Sequence, residues 1–237
     1  MSVSQADGRA ARGMTFYAGM ALALAVTVLV GFGPTFYLKP FMASPALVGL
    51  TALHGFVFTA WVALFIAQTQ LVARGRTDMH MRLGAAGAVL AALMLVVGLL
   101  TAIDAARRGA VPPGAPPPLV FLAVPFFAIV EFAVLVGLAL GLRRDSATHK
   151  RLMLLAAITI TGAAVARLPI GFAGTPPGFF ALTDLFIVAA AVHDWRTRGR
   201  VHPAYVWGGL SLIALQPLQL MFAGTGVWLG FAKWLMG

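Results

Sequence analysis

RLGAAGAVLAALMLVVGLLTAI, residues 82–103, carries one charge at its first position and none in the 21 residues that follow. At 1.5 Å per residue, a helix of that length crosses about 30 Å, the thickness of the hydrocarbon layer of a bilayer. Nothing in the stretch alternates with period two, which argues against an outer-membrane barrel. The reading that decides the fold is therefore a transmembrane helix.

Working outward from it, six more apolar stretches of similar length can be drawn, giving spans near 14–33, 46–72, 82–103, 118–142, 151–172, 178–196 and 203–222. Between them lie breaker-rich loops such as GPTFYLKP, VPPGAPPP and AGTPPG. Hydrophobic residues make up 60% of the 237 and charged residues 10%. Soluble domains hold about 25% charged residues, so this much apolar surface requires lipid around it. The expectation is an all-α integral membrane protein, one polytopic domain over 1–237 with about seven transmembrane helices. The stretch 225–237, TGVWLGFAKWLMG, reads as an interfacial tail or a frayed continuation of the last span.

The formal charge of +10 would suggest nucleic acid if it formed a soluble basic patch, but the basic residues sit at the ends of spans. With the N-terminus cytoplasmic and the C-terminus outside, twelve of the 17 Lys and Arg residues, beginning with Arg9 and Arg12, fall on the inner side. That asymmetry follows the positive-inside rule; the expectation is a multi-pass protein in contact with lipid, of the bacterial cytoplasmic (inner) membrane, with no nucleic-acid partner. The first span is too long for a signal-peptide core of about 7–15 residues and reads as uncleaved. No phosphate-cradling loop, HExxH motif or nucleophile elbow occurs. With no cysteine, thiolate metal sites and thiol nucleophiles are excluded.

Four of the five histidines fall on the inner side. His80 and His149 open spans in the same pattern, His-x-Arg-Leu, while His193 closes span 6 and His202 precedes span 7. Imidazoles at one depth on neighbouring helices are what a haem or a metal ion needs, so these four form a candidate cofactor or metal layer. Asp78, Asp145 and Asp194 stand beside them as second partners or further ligands. The competing reading is plain anchoring: Thr77, Asp78, Ser146 and Thr148 are ordinary helix-capping types, and Arg82 and Arg151 ordinary interfacial cations.

A second set lies deeper toward the outer side. Charges within hydrocarbon are costly, so Arg167 and Asp184, at matching depth across a short loop, are expected to pair. His54, Gln216 and Gln219 reach similar depths, and together the five outline an outward polar pocket. Trp61 and Gln68 follow His54 at i+7 and i+14, near one face of span 2. Each of these residues alone is equally well a helix–helix hydrogen bond. Glu131, near the middle of span 4, must be protonated or partnered there, and is the candidate catalytic group for proton relay or hydrogen bonding to a quinol.

The stretches LHGFVFTAW (53–61), MHMRLG (79–84), THKRLM (148–153) and RVHPAYVWGG (200–209) resemble uncharacterised bacterial multi-pass membrane proteins grouped only as a domain of unknown function. The His-x-Arg-Leu openings are also similar to those of haem A synthase and cytochrome-b-like bundles. That likeness implies His80 and His149 as haem-facing residues; haem b or a metal ion is the candidate cofactor, and a quinone or another membrane redox protein the candidate partner. A two-haem wire would need a second pair at the other depth, where only His54 stands. The functional alternatives are thus a haem- or metal-binding redox protein, a cofactor-free transporter or sensor using the outer pocket, and a non-catalytic accessory or assembly subunit.

Overall fold

The computed structural model describes residues 3–42, 46–47, 49–112 and 114–237, with side chains from Thr15 onward. The side chains of Arg9 and Arg12, which contribute to the inside assignment of the N-terminus, lie outside the described residues. Among the described residues there is no strand. The helices are α1 (Val3–Phe32), α2 (Gly49–Ala73), α3 (Thr77–Arg107), α4 (Pro118–Phe121), α5 (Ala123–Gly141), α6 (Ser146–Val165), α7 (Pro176–Arg198), α8 (Pro203–Ala223) and α9 (Gly226–Met236).

Six stretches are long and apolar enough to cross a membrane: Thr15–Tyr37, Gly49–Ala73, Thr77–Arg107, Pro118–Gly141, Pro176–Arg198 and Pro203–Ala223. The first runs past α1 through a π-helical turn, Gly33–Tyr37. The remaining helix of that size, α6, is 20 residues long but carries Lys150, Arg151 and three threonines. Its composition follows from its place. α6 packs on α1, α5, α7 and α8, and Leu154, Leu155, Ala156, Ile158 and Ala164 are wholly buried. A helix wrapped by protein rather than lipid needs no apolar residue on every side. The outer helices do: Val89 in α3 and Trp207 in α8 are each 72% exposed.

Helix ends follow local chemistry. Asp145 accepts from Ala147 N and Thr148 N to start α6. Thr175 caps α7 ahead of Pro176, and Thr225 caps α9. Gly199, with φ of 71°, closes α7 in the left-handed conformation that glycine adopts without steric cost. At Gly31 an added Cβ would stand 2.2 Å from the Ala164 carbonyl oxygen, so the absence of a side chain sets how closely α1 approaches α6.

The tail is neither frayed nor loosely attached. α9 packs on α3, α4 and α8, and Trp228 is 1% exposed among Phe126, Phe127, Phe222 and Phe231. Trp228 Nε1 donates to Leu119 O at 2.8 Å. Arg107 Nε donates to Met236 O at 2.9 Å, satisfying a carbonyl that the end of the helix leaves open. This makes one end of the bundle aromatic. The opposite end holds His80, His149, His193 and His202.

Candidate functional site

The four histidines share one end of the bundle but do not share one site. Among the described residues no three His, Asp or Glu side chains come close enough to hold a metal ion. The four-histidine metal layer is therefore replaced by a pair and two separate residues. His193 lies flat against Phe16, 3.8 Å between ring centroids and 3° between planes. His202 caps α8, its Nδ1 accepting from Ala204 N at 3.1 Å. Burial, then the charges of Arg151 and Arg198, hold the His202 pKa below its ordinary value.

His80 and His149 do meet. Their ring centroids are 6.2 Å apart with planes crossed at 76°. They arrive from helices that share little backbone packing: α3 lies on α2 and α5, and α6 on α1, α5, α7 and α8. Both rings are half-buried. His149 Nδ1 is 2.8 Å from the carbonyl of Ala139, to which it donates. That carbonyl is available because α5 loosens at its end, where Arg143 N turns to Leu140 O instead. With its amide nitrogen turned to the ring, Gln68 donates to His80 Nδ1 at 2.6 Å and to His80 O at 3.2 Å, and accepts from Gly84 N at 3.1 Å. Both imidazoles thus have Nδ1 engaged, which orients each ring: donation from Nδ1 leaves His149 Nε2 with a free lone pair, whereas the amide N–H given to His80 Nδ1 leaves the proton of neutral His80 on Nε2.

The donor set discriminates between cofactors. A protein-held zinc-type ion takes three or four protein ligands, and two imidazoles fall short. Haem would bring four nitrogens of its own, so two imidazoles would be enough to hold it.

Sequence reasoning did not anticipate the strongest polar contact at this end. Arg151, 3% exposed, pairs with Asp194, 1% exposed. Arg151 Nε donates to Asp194 Oδ2 at 2.9 Å and Nη2 donates to Oδ1. His202 N donates to Asp194 Oδ2 at 3.0 Å, and Arg198 Nη1 approaches it at 3.5 Å. Around them, Tyr205 donates to the Tyr17 hydroxyl at 3.2 Å and Lys150 lies over the Tyr17 ring. Arg151 is therefore not an interfacial anchor, and Asp194 does not serve an imidazole. The other two acids are likewise committed elsewhere: Asp145 caps α6 and Asp78 faces Arg76 at 3.7 Å. The signal was present in the sequence as an arginine in the first turn of one span and an aspartate in the last turn of the next, at the same depth.

The outer pocket also divides. Arg167 does not pair with Asp184: its Nη1 donates to Ala163 O at 2.6 Å and its guanidinium lies 4.7 Å from the Phe32 ring centre. Asp184 instead accepts from Gln216 Nε2 at 2.7 Å, joining α7 to α8. The short α6–α7 turn lets Arg167 fold back on its own helix, which satisfies it locally. His54 stacks on Phe58 at 4.0 Å, with its Nδ1 buried and unpartnered among the described residues. Two apolar grooves, about 340 Å³ beside Met20, Thr27 and Phe186 and about 250 Å³ between α7 and α8, are lined by none of His54, Arg167, Asp184, Gln216 and Gln219.

Glu131 sits in α5 with Oε1 buried and accepting no hydrogen bond among the described residues; Gln219 Oε1 likewise accepts none there, and the buried Trp61 Nε1–H donates none. No protein-family model matches the chain, and no curated protein or solved structure does either.

Proposed function

We propose that this chain is a seven-span protein of the bacterial inner membrane that holds one haem between His80 and His149 and passes electrons to or from a quinol or a membrane redox partner. The observation that carries this reading is the His80–His149 pair: two imidazoles on different helices, 6.2 Å apart, each with Nδ1 engaged. α6 is the seventh crossing, with its charged turn at the histidine end and its apolar body in the bundle centre. The N-terminus is cytoplasmic and the C-terminus outside, as the distribution of basic residues favours.

In this reading His149 donates Nδ1–H to Ala139 O, which fixes the tautomer with an open Nε2. With its nitrogen toward the ring Gln68 favours the Nε2–H tautomer of His80, so ligation through His80 Nε2 requires that proton to leave or the amide to turn over, which sets its oxygen against His80 O and its nitrogen against Gly84 N–H. Haem, when bound, supplies one-electron chemistry. The Arg151–Asp194 pair holds α6 against α7 and thereby keeps His149 at its depth. His193 and His202 take no part in ligation.

The test is the visible spectrum of detergent-purified protein, oxidised and dithionite-reduced, after expression with ample haem. A stoichiometric reduced α-band is expected, lost in His80→Ala and in His149→Ala and retained in His193→Ala and His202→Ala. A spectrum without haem, or a full band in both of the first two variants, overturns the assignment.

A further inference from the structure

Six of the seven acidic residues of this chain are aspartates, and Glu131 is its single glutamate. Each described aspartate has a partner: Asp78 has Arg76, Asp104 has Arg108, Asp145 has its helix cap, Asp184 has Gln216 and Asp194 has Arg151. Among the described residues, only Glu131 keeps a buried carboxyl oxygen that accepts nothing.

The packing of α5 on α8 indicates what stands opposite it. Phe127 of α5 meets Phe222 of α8, 6.2 Å between ring centroids, and Ala123 and Ala223 lie in one buried cluster. From these contacts both helices run toward the histidine end. One turn along α5 from Phe127 is Glu131; one turn along α8 from Ala223 is Gln219. Residues one turn apart share a face, so Glu131 and Gln219 stand at one level on the seam between the two helices. Gln219 is 6% exposed and its Oε1, like Glu131 Oε1, has no donor. Two buried acceptors on facing helices, one of them ionisable, lack the same thing.

We propose that Glu131 binds a proton within the membrane and donates it to Gln219 Oε1, making the α5–α8 seam a protonation site. One hydrogen satisfies both oxygens and removes the charge from hydrocarbon, where either orphan would otherwise cost the full desolvation penalty. No other ionisable group disputes the proton at that level. On α3 the charged residues are at the ends: His80 and Arg82 at one, Asp104 and Arg107 at the other. α6 contributes His149, Lys150 and Arg151 at the histidine end, α8 has only Tyr205 there, and α4 has none. The site lies eight residues from Ala139, so about 12 Å along α5 from the level of His149. It stands on different residues from the haem assignment and holds or fails without it.

The test uses the full chain in detergent or lipid vesicles. A hydrophobic carbodiimide, which modifies protonated carboxyls in apolar surroundings, should label Glu131 and lose that label in Glu131→Gln and as pH is raised. The infrared difference spectrum between acid and alkaline pH should hold a deuterium-sensitive carboxylic acid C=O band. That band should vanish in Glu131→Gln and move to higher frequency in Gln219→Leu, which removes the acceptor but not the acid. Absence of both label and band in well-folded protein overturns the protonation. A band that stays in place in Gln219→Leu overturns the partnership.

Discussion

Two polar regions of the bundle, one at the histidine end between α6 and α7 and one midway along α5, differ in how their groups are satisfied. At the histidine end, Asp194 accepts from Arg151 through both oxygens and from His202 N, and Arg151 also donates to Ala147 O. Two turns away, on the seam with α8, Glu131 and Gln219 each keep an oxygen with no donor. Arg151 and Asp194 are buried and satisfied; Glu131 is half-buried, but its Oε1 is enclosed and unsatisfied. A buried charge pair with every lone pair answered is a structural element, whereas orphaned acceptors in a close-packed bundle mark a place where something must bind. The contrast assigns the fold to the first region and the chemistry of protons to the second.

The contrast breaks most sharply at Asp194. Replacing it with alanine strands Arg151 in the interior and should cost about 3–5 kcal/mol, read as loss of thermal stability in detergent. The double variant Asp194→Leu with Arg151→Met should recover most of that. Glu131→Gln, by comparison, removes a carboxylate without a partner and should leave the melting temperature unchanged or raise it. If Asp194→Ala were neutral and Glu131→Gln severe, the two regions would have exchanged roles.

A smaller effect is expected where α1 meets α6. Gly31→Ala places Cβ 2.2 Å from the Ala164 carbonyl oxygen, and backbone rather than a pliable side chain must give way. A loss of about 1–3 kcal/mol is expected, seen as a lower melting temperature. Gln68→Leu sharpens the histidine pair by removing the amide that orients His80. It should weaken haem retention by about 10–100-fold, measured by competition with a haem-binding protein, with little change in fold stability.

The smallest predicted effect is at His202. Its pKa in the folded protein lies below the ordinary 6.5, so below that pH the unfolded chain binds more protons than the folded one. The stability it contributes is therefore present above about pH 6.5 and is lost as pH falls through that value toward the folded-state pKa. Protonation also abolishes the Nδ1 acceptor that caps α8. His202→Asn, which retains a capping oxygen, should flatten the acid limb of the stability profile; His202→Ala should cost about 0.5–2 kcal/mol at neutral pH.

Much of this was written in the chain. Runs such as 82–103 announce spanning helices, because nothing else tolerates so many apolar residues in water or lipid. Caps act over three residues, yet residue type points to Thr77, Asp78, Ser146 and Thr148, whereas Asp145 caps α6, His202 caps α8 and α3 starts after Arg76 without a side-chain cap. Which histidines meet is a different matter. His80 and His149 share a motif and a depth with nothing to say that they face each other, and His193 shares the depth and faces Phe16 instead. Depth is set by counting residues along one helix, whereas azimuth is set by how neighbouring helices rotate to pack. The same uncertainty paired Arg167 with Asp184 by depth alone, while Gln216 took the aspartate and the backbone took the arginine.

By itself, the sequence determined that this protein is helical and membrane-embedded, and that four of its five histidines gather at one end, because composition and linear spacing govern both. Tertiary structure alone decided that α6 lies at the centre and that Arg151 locks to Asp194. Those depend on the rotation and crossing of helices, which are settled by close packing between segments far apart in the chain.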